Sequence, residues 1–181
     1  MGTSATYGLS LPTALRLGRV SNLPTVWTDV LAGTVLSRAV LSPGLVVATM
    51  LALSLFYVAG MFLNDAFDAK YDRARQPHRS IPSGVASEAT VFGAGAALML
   101  VGLGLVTAVG MSSGAGGLGG FTLDVALVAA IVVYNRWHKG NPVGPALMGL
   151  CRALVYAVAA VVAAPHWEGR CCQPACWRSA T

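Results

Sequence analysis

Charge is what this chain has least of. Only 10% of its 181 residues are Asp, Glu, Lys or Arg, against about a quarter in an ordinary soluble domain. With 55% hydrophobic residues and a mean hydropathy of +0.65, the chain reads as a membrane protein before any segment is placed. Cysteine is scarce too. Cys151 alone falls within residues 1–164, which excludes a disulfide framework for the body of the chain. Acidic residues run out early, with only Glu168 after Asp124. The excess of 12 Lys and Arg over 7 Asp and Glu forms no basic patch interleaved with aromatics, so nucleic acid is not an expected partner. The many glycines follow no predicted strand, and none builds a phosphate-binding loop.

What is there is long apolar segments. Windows of about 20 apolar residues give five predicted spans, at about 23–40, 43–63, 89–111, 121–134 and 142–164. The first is interrupted by Pro24, Asp29 and Arg38, and the fourth is short and flanked by glycine. Residues 1–22 do not read as a signal peptide, because Arg16 and Arg19 follow the mildly apolar start instead of preceding it. Small-residue patterns such as "GAGAALMLVGLGL" suit close helix packing in lipid. The expected fold class is therefore all-α, a multi-span transmembrane helical bundle. Arg16, Arg19, Lys70, Arg73, Arg75, Arg79, Arg136 and Lys139 fall on one side of these spans, and Arg38 alone on the other. By the positive-inside rule, the N-terminus and the loops after spans two and four are expected to be cytoplasmic.

The charges are concentrated in "NDAFDAKYDRARQPHRSIPSG", residues 64–84, directly after an uncharged span. Asp65, Asp68 and Asp72 are spaced i, i+3, i+7. If span two continues as a helix, they form one stripe with Asn64 beside Asp68. Stacked like charges destabilise a helix unless a cation neutralises them. Mg²⁺ favours carboxylate oxygens, water and substrate phosphates, and Lys70, Arg73, Arg75 and Arg79 are at hand for phosphate oxygens. The stretch thus predicts a metal–diphosphate site at a helix end. Within that site Asp72 is expected a turn further toward solvent than Asp65 and Asp68. The competing reading is a solvated loop that ends a span and anchors its orientation.

The stretch resembles the first aspartate-rich motif of the UbiA superfamily of intramembrane prenyltransferases, NDxxDxxxD followed by Pro-x-Arg-Pro-Leu-Pro-Ser-Gly. Asn64, Asp65, Asp68, Asp72, Pro77, Arg79, Pro82, Ser83 and Gly84 match, while Ser80 and Ile81 depart from Pro and Leu. "RVSNLPTVWTDVLAG" is similar to the family's first helix, which maps cavity-facing residues onto Arg19 and Asn22. "YNRWHK" is similar to its Tyr-Ser-x-x-x-Lys segment, with Tyr134 and Lys139 matching and Asn135 departing from Ser. The resemblance covers about residues 15–164. It implies a nine-helix bundle, of which about five helices are present, in a bacterial-type plasma membrane. It implies Mg²⁺ on Asp65, Asp68 and Asp72 as catalytic and metal-binding residues, and Asn64, Arg19, Asn22, Arg79, Tyr134, Lys139 and Arg152 as substrate-binding residues. The implied reaction moves an isoprenyl group from a polyprenyl diphosphate to an aromatic or other small polar acceptor.

Departures from the family pattern are large. The second motif, Asp-x-x-x-Asp, has no counterpart after Asp124. Residues 165–181, "PHWEGRCCQPACWRSAT", change character abruptly and place Cys171, Cys172 and Cys176 together; this tail reads as a frameshift product, outside the family domain of residues 1–164. The short chain is therefore expected to be inactive alone. Arg152, inside span five, either binds diphosphate or pairs with Asp29. Asp124 is expected at a span start, facing the positive end of the helix dipole. Two other classes compete. A CDP-alcohol phosphotransferase needs an Asp-Gly-x-x-Ala-Arg segment, and Asp72-Arg73-Ala74-Arg75 lacks the glycine. A transporter-like fragment or non-catalytic membrane subunit predicts repeated broken helices, and only one charged motif is present.

Overall fold

A computed structural model describes residues 9–38, 42–115 and 117–163. All regular structure among them is helical: α1 (Leu11–Leu17), a single 3₁₀ turn (Val20–Asn22), α2 (Leu23–Leu36), α3 (Pro43–Arg75), α4 (Glu88–Ser113), α5 (Leu118–Trp137) and α6 (Gly144–Ala163). The cysteine-rich tail lies outside the described residues.

Four helices, α3 to α6, are long and apolar enough to cross a bilayer. The predicted first span, 23–40, is instead the 14-residue α2, about 21 Å long at 1.5 Å per residue. It stops because Ser37 caps it with helical backbone and Arg38 turns left-handed at φ 53. Span two is longer than expected. Nothing in "NDAFDAKYDRAR" breaks a helix, so α3 continues for 33 residues until Pro77. A residue before proline is pushed out of the helical region, and Gln76 accordingly sits at φ −139, ψ 64. The aspartates are therefore helical. α5 is also longer than the expected 121–134. Asp124 consequently lies two turns inside α5 and not at its start, where the dipole would act; it is buried, and Thr107 Oγ1 donates to it at 3.5 Å.

α3 is the hub of the bundle, with its broadest packing against α4 and further packing against α2, α5 and α6. Val30, Leu53, Phe56, Val106, Leu127 and Val158 meet in the buried core. Apolar side chains also cover the outside: Leu51, Leu100, Val101 and Met148 are each more than half exposed. Such an exterior suits hydrocarbon, where helices associate through packing and polar bonds and not through the hydrophobic effect. A second, smaller cluster of Leu17, Phe62, Ala66, Ala69, Ile81, Ala86 and Val91 lies at the aspartate end of α3. It seats α1 and the loop after α3 against the bundle.

Candidate functional site

Asp65, Asp68 and Asp72 share one face of α3, and three further segments bring cations onto that face. The first is the turn before α2. Arg19 adopts φ 44, ψ 46, a left-handed conformation that costs a non-glycine residue about 1–2 kcal/mol, and its guanidinium lies 3.6 Å from Asp65 Oδ1. The second is the loop after α3. Ile81 buries itself in the smaller cluster, and Ser83 N–H donates to the Arg79 carbonyl while Ala86 N–H donates to that of Ser80. So anchored, the loop aims Arg79 back at the helix, 2.8 Å from Asp72 Oδ2 and 3.5 Å from Asp65 Oδ1. The third is the C-terminal end of α5. Lys139 Nζ lies 3.0 Å from Asp68 Oδ1 and 3.4 Å from Asp72 Oδ1, over the Tyr71 ring at 3.9 Å.

Burial reverses one expectation from sequence. Asp72 was expected toward solvent, yet it is the most buried of the three, with 1% of the residue exposed. The loop carrying Arg79 and the end of α5 both close over it.

Three carboxylates face three permanent cations, so the cluster is neutral before any ligand arrives. The carboxylates share a face but not a focus: among the described residues no three His, Cys, Asp or Glu groups converge to hold an ion. The donor set nevertheless suits a hard cation, being all carboxylate oxygen. Among the described residues Asp65 Oδ1 is buried with no hydrogen bond and meets Arg19 and Arg79 only as looser ion pairs at 3.6 and 3.5 Å, which makes it the carboxylate oxygen a metal cation would take.

The remaining predicted residues fall in different places. Asn64 is buried and donates to Asn135 Oδ1 at 3.4 Å. It braces two helices and does not face an open site. Tyr134 stacks on His138 with ring centroids 5.0 Å apart, one turn from Lys139. Asn22 stands exposed as the N-cap of α2, with no side-chain capping bond. Of the two partners expected for Arg152, the structure shows Asp29: the guanidinium donates to Asp29 Oδ1 at 2.7 Å, where Tyr156 Oη also donates at 2.8 Å. Asp29 is buried inside α2, and an unpaired charge there is costly, so the arginine is held at that carboxylate. Arg73 pairs with Glu88 in the open, and Lys70 is exposed.

Sequence reasoning missed two residues. His138 Nδ1 lies 3.1 Å from the Tyr134 carbonyl oxygen, which can only accept, and its Nε2 faces Asp68 Oδ2 at 3.7 Å. Asn135 is buried with 3% exposed and spans two partners. Its signal was present in the sequence: an amide stood where the family pattern has a small hydroxyl.

The architecture is that of a membrane-crossing helical bundle with an acidic helix face, countered by cations, at one end. The family model of the UbiA prenyltransferase family matches residues 23–180, and the chain belongs to that family as an integral membrane protein. The matched range runs through the tail that composition had set apart. A solved structure reported for a digeranylgeranylglyceryl phosphate synthase in membranes is similar in fold, with a TM-score of 0.72 and 23% sequence identity. The alignment covers 84% of this chain and 53% of the other, so the chain spans about half the length of that relative. No curated protein matches the chain.

Proposed function

We propose that this chain supplies the diphosphate-binding wall of a Mg²⁺-dependent intramembrane prenyltransferase. The substrate class is an isoprenyl diphosphate, and the acceptor is an aromatic or other small polar molecule delivered from the bilayer or the cytoplasmic side. One observation carries the reading: a neutral face on which Asp65, Asp68 and Asp72 are matched by Arg19, Arg79 and Lys139. Asp65 and Asp68 are the residues that would hold Mg²⁺, with Asp72 behind them. Bound there, Mg²⁺ supplies Lewis-acid stabilisation of the leaving diphosphate.

The chain's own residues do the rest. Arg79 and Lys139 are each about a third exposed, which leaves donors free for phosphate oxygens in charge-assisted bonds. In prenyl transfer the allylic C–O bond breaks with its electron pair going to the diphosphate. The acceptor's electrons then form the new bond to the allylic carbon, and an aromatic acceptor loses a ring proton. Positive side chains aimed at the diphosphate favour the charge that develops there. The apolar outer faces let the prenyl tail stay in hydrocarbon. The distribution of Lys and Arg supports a cytoplasmic site.

The 181 residues carry one aspartate-rich wall, with no Asp-x-x-x-Asp after Asp124. One wall binds and partly neutralises a diphosphate but does not fix it from two sides for ionisation. On this reading the chain alone binds Mg²⁺–pyrophosphate without turning over. The test uses the chain in nanodiscs with Mg²⁺. Binding of inorganic pyrophosphate is followed by ³¹P NMR, and pyrophosphate release is followed from isoprenyl diphosphates with a panel of aromatic acceptors. Binding that disappears in Asp65→Ala/Asp68→Ala, without release, is expected. Equal binding in that variant would refute the site, and metal-dependent release by the parent chain would refute the need for a second wall.

A further inference from the structure

We infer that Asn135 is a positioning residue that sets Lys139 onto the aspartate face. The tie runs through the backbone of α3. Asn135 Nδ2 donates to the Gly60 carbonyl at 3.0 Å, and Asn135 Oδ1 accepts from Asn64 Nδ2 at 3.4 Å. Among the described residues, these are the side-chain hydrogen bonds between α3 and α5; just beyond α5, Lys139 reaches Asp72 and Asp68, and His138 faces Asp68.

Three facts make this tie more than general packing. First, α5 is poorly covered, with 22% of its apolar window buried. In lipid, helices are held by close packing and interhelical polar bonds and not by the hydrophobic effect, so where little of a helix is packed its polar bonds carry more of the hold. Second, Gly60 permits the approach. A Cβ there would stand 3.2 Å from Ile131 Cγ2, one turn before Asn135, so even a methyl requires Ile131 to give by a few tenths of an ångström, and a branched side chain crowds α5 just where the amide must reach. Third, Lys139 follows Asn135 by four residues, one helical turn on the same side. The intervening turn closes with His138 N–H donating to the Tyr134 carbonyl at 2.9 Å, and α5 ends at Trp137. Lys139 is therefore carried just beyond a helix end whose height and rotation Asn135 sets. A serine hydroxyl is too short to reach both partners at once, whereas the amide offers a donor on one side and an acceptor on the other.

Lysine chemistry reads the tie without any ligand. Lys70 and Lys139 are the only lysines in the chain, and Lys70 is exposed on α3, so it serves as an internal standard. The full chain in nanodiscs is acylated briefly with a water-soluble N-hydroxysuccinimide ester, and the two sites are quantified by mass spectrometry. Asn135→Leu, of similar volume but without polar atoms, is expected to raise the Lys139:Lys70 ratio about fivefold, the scale of one interhelical polar contact in a membrane. Gly60→Val crowds Ile131 and stretches the bond from Asn135 to the residue-60 carbonyl while leaving the Asn135 side chain intact. It is expected to act in the same direction, which keeps the test decisive if one variant fails to fold. Circular dichroism and size-exclusion profiles identify such a failure. An unchanged ratio in the folded variants overturns the inference.

The consequence for binding rests on the diphosphate reading above. Asn135→Leu is expected to weaken Mg²⁺–pyrophosphate binding about fivefold in the parent and not at all in a Lys139→Met background. Additive losses would overturn the positioning role. If Lys139→Met by itself leaves pyrophosphate affinity unchanged, the diphosphate reading fails, while the acylation ratio still decides the role of Asn135.

Discussion

Replacing Asp72 by Asn changes one oxygen to an amide and keeps the side chain's shape, so it isolates charge. The Asp72 side chain is 2% exposed, with Arg79 at 2.8 Å and Lys139 at 3.4 Å. Breaking a fully buried pair typically costs about 3–5 kcal/mol. Two features reduce that here. Arg79 and Lys139 are 31% and 32% exposed, and each keeps a second carboxylate, Asp65 at 3.5 Å and Asp68 at 3.0 Å. A loss of about 2 kcal/mol follows, which corresponds to an unfolding midpoint lower by about 4–8 °C for a chain of this size. Asp65→Asn is the control. Its buried Oδ1 accepts no hydrogen bond and its cations lie at 3.5–3.6 Å, so its loss stays under about 1 kcal/mol. Thermal unfolding of both variants in one detergent at one scan rate compares them directly. Equal midpoints, or a larger drop for Asp65→Asn, would show that Asp72 is solvated and that the ion pairs do not hold the loop and α5 in place.

Arg79→Gln removes the cation that lies closest to Asp72. It is expected to tighten binding of Mn²⁺ alone, read by electron paramagnetic resonance, while weakening pyrophosphate binding about tenfold through loss of a charge-assisted bond; both affinities falling together would mean that Arg79 does not compete for the carboxylates. Gly33→Ala should destabilise the bundle by about 1–3 kcal/mol, seen as a lower unfolding midpoint, because its Cβ would lie 2.7 Å from the Tyr156 carbonyl oxygen and 3.0 Å from Ala159 Cβ; an unaffected midpoint would place α2 and α6 further apart.

The identity of the acidic residues and their spacing already implied a helical stripe, because a period of three to four residues after an uninterrupted apolar run has one regular solution. The number of long apolar helices was nearly legible. It failed at α2, where 14 residues end at a left-handed Arg38, because a window average does not register backbone sign. The placement of Asp124 failed for a related reason: α5 begins at Leu118 in a glycine-rich stretch where composition gives a weak start signal.

What the sequence determined by itself was the solvent, the helical class, the family and the acidic face of α3, all of which follow from residue type and short-range period. Tertiary structure alone decided which cations serve that face. Arg79 reaches Asp72 because Ile81 pins its loop, Lys139 arrives from 67 residues away just past the end of α5, and Arg152 is taken by Asp29 across 123 residues. Ion pairs depend on distance through space and on burial, and neither is written in the spacing along the chain. For that reason Asp72, which lies furthest along α3 and was expected nearest to solvent, is the most enclosed of the three.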